Sequence, residues 1–236
     1  MDSARIAALA NEIVAAATAS ATNQYWVGIA GAPGSGKTTL VADLVLELQA
    51  AHGLATTGIP MDGYHYSRAE LDTFENPEMG HRFRGAPFTF NGDRFVQDLQ
   101  AAKAKGSFSF PGFDHKQKDP VPDMHHITTS SQVVLVEGNY LLLDETPWSS
   151  LADGLFDEMW YLQCELNELK RRLAQRHMAS WGWTLEQALS RIEDSDGKNM
   201  VTVTTSKGLE RATKVVHSVT VIDACLPVEG SSSSSV

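Results

Sequence analysis

Phosphate chemistry is written most plainly at Gly31-Ala32-Pro33-Gly34-Ser35-Gly36-Lys37-Thr38, a complete match to glycine, any four residues, glycine, lysine, then serine or threonine. Glycines let successive backbone N–H groups turn inward around phosphate oxygens, and a helix starting behind them adds the positive end of its dipole. Lys37 would then reach the β- and γ-phosphates, and the Thr38 hydroxyl, with Thr39 next to it, would face a magnesium ion. ATP and Mg²⁺ are the cofactors this pattern predicts.

Two carboxylates stand where they can join that chemistry. Glu137 closes an apolar strand, and an acid there can hold a magnesium-bound water; the plain alternative is an ordinary strand-end acid. Asp62 closes another extended stretch, where it can accept a proton from a substrate hydroxyl or merely form an Asp-Gly turn with Gly63. Further along, Arg172 and Arg176 lie four apart on one helical face beside Lys170 and Arg171, either a clamp for a transferring phosphoryl group or a solvated basic face. Trp181 and Trp183 flank Gly182 directly after them, which suits a mobile flap and core packing equally.

Strands and helices must alternate to position these groups. Tyr25 to Ala30 reads as a short buried strand running into the glycine loop, and Leu40, Val41, Leu44, Val45 and Leu48 share one face of a helix that His52-Gly53 ends. Leu54 to Met61 is extended, residues 64–90 are loop-like, Asn91 opens a helix that Gly106 stops, and Ser107 to Ser130 reads as another loop. Gln132 to Val136 is the most apolar strand, followed by strand candidates at Met159 to Leu162 and Val215 to Ile222. Helices are predicted near 165–179 and 184–195, the second with a capping box of Thr184 and Gln187. This order predicts an α/β fold: a doubly wound parallel sheet of about five strands with helices on both faces, a P-loop NTPase domain over 23–226. Residues 64–90 and 107–130 are its expected acceptor loops and about 170–184 its lid. Ser3 is placed to cap an amphipathic lead helix within 1–22, and the serines of 227–236 have nothing to bury.

Composition excludes other classes. Against 19 Lys and Arg stand 29 Asp and Glu, a net charge of −10 that repels nucleic acid and anionic lipid. Two cysteines, Cys164 and Cys225, make no disulfide framework and no zinc spacing, which fits a cytoplasmic protein. No apolar run approaches the ~20 residues of a membrane span. The expected partner is a small-molecule hydroxyl acceptor, with neither nucleic acid nor membrane, and a homodimer is compatible with it.

Four further words extend the pattern. Met61-Asp62-Gly63-Tyr64-His65-Tyr66 precedes Arg68-Ala69-Glu70-Leu71-Asp72; then come Arg84-Gly85-Ala86-Pro87-Phe88-Thr89-Phe90, Pro111-Gly112-Phe113-Asp114-His115 with Asp119-Pro120-Val121-Pro122, and Val136-Glu137-Gly138-Asn139-Tyr140-Leu141-Leu142-Leu143-Asp144. With these in order, residues 24–223 resemble the phosphoribulokinase/uridine kinase family of P-loop kinases, which includes bacterial-type pantothenate kinase, and most of all a sugar-kinase-like branch found in bacteria and fungi.

The resemblance implies that Asp62 is the base for the substrate hydroxyl, Glu137 the Walker B acid, and Arg172 and Arg176 basic positions of the lid helix. It places His115 where pantothenate kinase has a substrate-contacting histidine, and it assigns Tyr64, His65, Arg84, Phe113 and Asp114 to the acceptor pocket. Arg191 and Asn199 are what this chain retains of an Arg…Asn-Asp…Asn word. Uridine kinases carry further lid arginines where this chain has Trp181 and Trp183. The implied activity is transfer of the ATP γ-phosphate to a hydroxyl of a sugar, vitamin-like acid or nucleoside. The contrasting reading is a nucleotide-dependent switch without a small acceptor; its guanine-reading form needs an Asn-Lys-x-Asp word, and none occurs.

Overall fold

Strand β1 (Tyr25–Ala30) is buried at all six positions in the computed structural model, which describes residues 1–218. Tyr25, Val27 and Ile29 pack with helices α1 (Ser3–Ala19) and α2 (Lys37–His52), while Trp26 belongs to the opposite layer. An uninterrupted apolar run is what a strand covered on both faces requires. With β1, β2 (Thr56–Pro60), β5 (Val133–Gly138), β6 (Glu158–Gln163) and β7 (Lys214–His217) form a parallel sheet in the order β2-β5-β1-β6-β7. The chain winds outward from β1 to β2, returns to insert β5 between them, then crosses β1 to build the other half. Beside such a reversal the ligand crevice opens beyond the strand C-termini.

The second layer uses α5 (Gly92–Lys105), α6 (Leu166–Trp181) and α8 (Gly197–Thr205), which contribute Phe95, Leu99, Leu169, Leu173, Met200 and Val203. Shorter helices fill the connections: α3 (Arg68–Leu71), α4 (Pro77–Arg82), α7 (Leu185–Arg191) and α9 (Gly208–Arg211). No helix among the described residues is long and apolar enough to cross a membrane.

Several sequence expectations are corrected. Residues 107–130 are not a loop but an antiparallel hairpin of β3 (Phe108–Asp114) and β4 (Asp119–Ile127). Pro111, Pro120 and Pro122 obscure it in the sequence, yet a two-stranded ribbon tolerates proline because each strand keeps one unpaired edge. The 64–90 segment contains α3 and α4, the first started by a capping box of Ser67 and Glu70, the second by Asn76 with Pro77 behind it. The helix expected over 184–195 does start with Thr184 and Gln187, but α7 passes through a π-type turn (Ile192–Asp196) into α8. Asp2, not Ser3, caps α1, accepting from Arg5 N–H at 2.8 Å. The remainder of the strand expected at Val215 to Ile222, Cys225 and the serine-rich 227–236 lie outside the described residues.

Candidate active site

Strands β1, β5 and β2 end side by side, with Ala30 opposite Gly138 and Glu137 flanked by Ile29 and Pro60. The phosphate machinery hangs from these ends. Gly31 and Ala32 continue buried from β1, and Pro33 and Gly34 form the half-buried crest. Gly36 then turns into α2 with a left-handed φ of 96° and no side chain capping that helix. The first-turn N–H groups of α2 are therefore open to an anion, with the helix dipole behind them. Ser35 Oγ is also buried without a partner among the described residues. Thr38 and Thr39 are exposed at the start of the helix.

Lys37 is buried, and its Nζ donates to Ala32 O at 3.1 Å and to Asn139 Oδ1 at 2.8 Å. Burial lowers its pKa, Glu137 and Asp62 oppose that drop, and Arg176 adds to it. Glu137 is equally buried; desolvation raises its pKa against the pull of Lys37, Asp62 raises it further, and the Thr38 hydroxyl lowers it. That hydroxyl donates to Glu137 Oε1 at 2.8 Å. A hydroxyl and a carboxylate side by side are hard oxygen donors, and they fit Mg²⁺. Asn139 is a neighbour of Lys37 that the sequence does not single out; its signal there is that it stands two residues after Glu137.

Asp62 sits in the first turn of a 3-10 helix, Met61–Tyr64, at the end of β2. Its half-buried carboxylate accepts no hydrogen bond among the described residues, so the side chain does not cap this turn. Gly63 has a separate reason to be glycine: a Cβ there would lie 2.1 Å from Pro111 O. The hairpin passes directly over the turn that carries Asp62.

On the acceptor side, His65 Nδ1–H donates to Asp62 O at 2.8 Å, and its ring lies between Phe90 (3.9 Å) and Phe113 (4.9 Å). Burial lowers the His65 pKa more than Asp62 raises it, while Arg84 and His115 push in the same direction as burial, so the ring is neutral. His115 is exposed at the hairpin tip, 5.3 Å from the Phe113 ring. Three expected substrate contacts have other employment. Tyr64 is turned into the core, its hydroxyl donating to Asp98 at 2.8 Å and its ring 4.8 Å from Phe95. Asp114 caps the hairpin turn, accepting from Lys116 N–H at 2.7 Å and Gln117 N–H at 3.1 Å; the Gln117 and Lys116 donors hold its pKa below the usual carboxylate value. Arg84 bolts the hairpin down, donating to the Lys118 carbonyl, to Tyr66 O at 2.7 Å and to Asp119 Oδ1 at 2.9 Å.

The basic helix divides its labour. Arg172 donates to Ser35 O at 3.1 Å, to Ser218 Oγ at 2.8 Å and to Glu168 Oε1 at 2.6 Å, which ties α6 to the phosphate loop. Arg176 is exposed, has no hydrogen bond or ion pair among the described residues, and is near enough to Lys37 to depress its pKa. Trp181 stacks on His177 at 4.6 Å and meets Trp183 at 4.3 Å, and Lys118 Nζ of the hairpin lies 5.1 Å over the Trp181 ring. Arg191 donates to Arg82 O at 2.8 Å, Arg82 pairs with Asp194 at 2.6 Å, and Asn199 is buried with Nδ2 3.5 Å from where a Cβ of Gly85 would be. These residues hold the 64–90 segment.

A parallel sheet in this order, with the glycine loop after its central strand and an acid on the neighbouring strand end, is the architecture of the P-loop kinases. Within that class the chain belongs to the phosphoribulokinase/uridine kinase family, whose model matches residues 26–221. It is 40% identical over 187 residues to a provisionally named uridine kinase of Schizosaccharomyces pombe, covering 75% of this chain and 79% of that one. An ATP-dependent kinase of Kluyveromyces lactis is 30% identical over 180 residues; the match takes in 60% of this chain and spans about half of that longer relative, 51%. Among solved structures, a kinase provisionally assigned to a fructose transport system in Silicibacter sp. TM1040 superposes with a TM-score of 0.77 at 28% identity, over 89% of this chain and 98% of that chain.

Proposed function

We propose that this protein transfers the γ-phosphoryl group of ATP to a hydroxyl of a small polyhydroxylated metabolite. The observation that carries the reading is the Asp62 carboxylate, uncommitted among the described residues and close to Glu137 and Lys37 at the strand ends, with His65, packed between Phe90 and Phe113, bonded to its backbone carbonyl. The uncapped start of α2 and the Ser35 hydroxyl bind phosphate oxygens, and Lys37 carries positive charge to the bridging region. Thr38 and Glu137 would hold Mg²⁺, which supplies charge neutralisation to the phosphates when bound. Asp62 accepts the proton of the attacking hydroxyl as that oxygen bonds to the γ-phosphorus and the bond to the ADP oxygen breaks. Arg176 stabilises charge on the group in transit, and Arg172 keeps the loop in shape through Ser35.

A neutral His65 with Nδ1–H committed leaves Nε2 as an acceptor, which suits a hydroxyl-bearing partner. Arg84 is engaged with the hairpin, so the strongest cation of the expected pocket is not free for an acidic acceptor. The names of the fission-yeast and Silicibacter relatives point to uridine and fructose, both polyhydroxylated. The test is ADP release from ATP·Mg²⁺ against a panel of sugars, nucleosides and hydroxy acids. Release that depends on a neutral polyol is expected; acceptor-independent release would return the protein to the switch reading.

A further inference from the structure

The commonest fate of a buried ammonium near two carboxylates is an ion pair, and Lys37 forms none among the described residues. Its Nζ donates instead to two neutral oxygens, Ala32 O at 3.1 Å and Asn139 Oδ1 at 2.8 Å. Glu137, whose charge bears on Lys37, accepts from Thr38 at 2.8 Å, and the Asp62 carboxylate accepts no hydrogen bond among the described residues. We infer that Asn139 is a positioning residue that parks the Lys37 ammonium on an uncharged acceptor, clear of Glu137 and Asp62, so that arriving nucleotide phosphates meet a lysine already aimed and unpaired.

The backbone fixes this arrangement. Asn139 leaves β5 one residue after Gly138, which is in register with Ala30 at the mouth of the loop, so its side chain is delivered beside the lysine from the adjacent strand. An amide has the length and the acceptor to hold an ammonium, yet it contributes no charge that the phosphates would have to displace. Without it, Lys37 would satisfy its donors on Glu137 or Asp62. Nucleotide binding would then have to break an ion pair in a buried site, where such pairs are costly to separate.

The inference rests on the reading that the loop binds nucleotide phosphates, and a double-mutant cycle separates the two. Affinity for a non-hydrolysable ATP analogue with Mg²⁺ is measured by calorimetry for the parent, Asn139→Ala, Lys37→Ala and the double variant, with thermal unfolding recorded for each. Asn139→Ala is expected to weaken binding about tenfold in the parent and by less than about twofold in the Lys37→Ala background, since coupling of this kind requires both partners. Asn139→Asp, which gives Lys37 the ion pair that the amide avoids, is expected to weaken binding more than Asn139→Ala while folding normally. Equal losses in both backgrounds, or an Asn139→Asp variant that binds as the parent does, would overturn the role of Asn139 and leave the loop assignment standing. A folded parent that does not bind the analogue would overturn the loop assignment and this inference with it.

Discussion

The two halves of the site are built by different physics. The phosphate half is made by backbone: three parallel strand ends in fixed register, a glycine turn and the start of a helix. The proposed acceptor half is made by side chains that reach across the sequence: Arg84 to Tyr66, Lys118 and Asp119, Arg68 to Asp119, and Arg82 to Asp194. A half fixed by backbone tolerates little change in what it binds. A half laced together by side chains can be retuned one tie at a time.

Variants that strike one half and spare the other sharpen this contrast. The largest effect is expected for Asp62→Asn, which removes the proposed base but not the nucleotide cradle. Turnover should fall by about two to four decades, the usual worth of a positioned base. Affinity for nucleotide should stay within about threefold, and measuring both on one preparation checks the separation; a small loss in turnover would deny Asp62 its role.

Arg176→Ala should come next. A guanidinium without a partner among the described residues and close to Lys37 should act chiefly on charge that develops during transfer, so kcat should fall about ten- to a hundredfold while nucleotide affinity changes less. Arg172→Ala should show the reverse emphasis, because that residue grips Ser35 O of the loop. Steady-state kinetics on the pair decide it: matching profiles would mean that the division of labour along α6 is wrong.

The smallest effect on chemistry is expected at the tie itself. Arg84→Met keeps much of the packing over Phe113 but drops the bonds to Tyr66, Lys118 and Asp119, so the KM for acceptor should rise about tenfold, with the nucleotide KM unchanged. Asp119 offers a readout without substrate. Burial would raise its pKa, but hydrogen bonds from Arg68 N–H and from the Arg84 and Arg68 side chains outweigh that and leave it lowered. Because the folded value lies below the unfolded one, its contribution to stability is complete above the ordinary carboxylate range and is lost as pH falls through the folded value. Thermal unfolding followed from neutral pH into acid should therefore show a shallower acid loss in Asp119→Asn than in the parent. Parallel curves would mean that the tie carries no weight.

The same contrast governs what the sequence reveals. Gly31 to Thr38 and the ends of β2 and β5 are legible because their meaning is local: a few adjacent residues specify a backbone shape, and Glu137 and Asp62 follow as the first polar groups after apolar runs. The ties of Tyr64 and Arg84 are not legible in the sequence because their partners stand 34 and 35 positions away, at Asp98 and Asp119. The hairpin of β3 and β4 escapes notice because its prolines imitate a loop, and Asn139 because an amide after a strand carries no signature until Lys37 is seen beside it.

The close passage of Pro111 over Gly63 has one more consequence. With 2.1 Å between that carbonyl oxygen and the place a Cβ would take, no compliant side chain separates the acceptor wall from the turn bearing Asp62. On the proposed reading the two would act as a lever: a compound too large for the pocket that pushes on the hairpin would also move the carboxylate proposed to take its proton. A displacement of even ~1 Å at a reacting group costs on the order of a hundredfold in rate. Fidelity in such a site would be exercised on the speed of the reaction, with an ill-fitting molecule refused after it has entered.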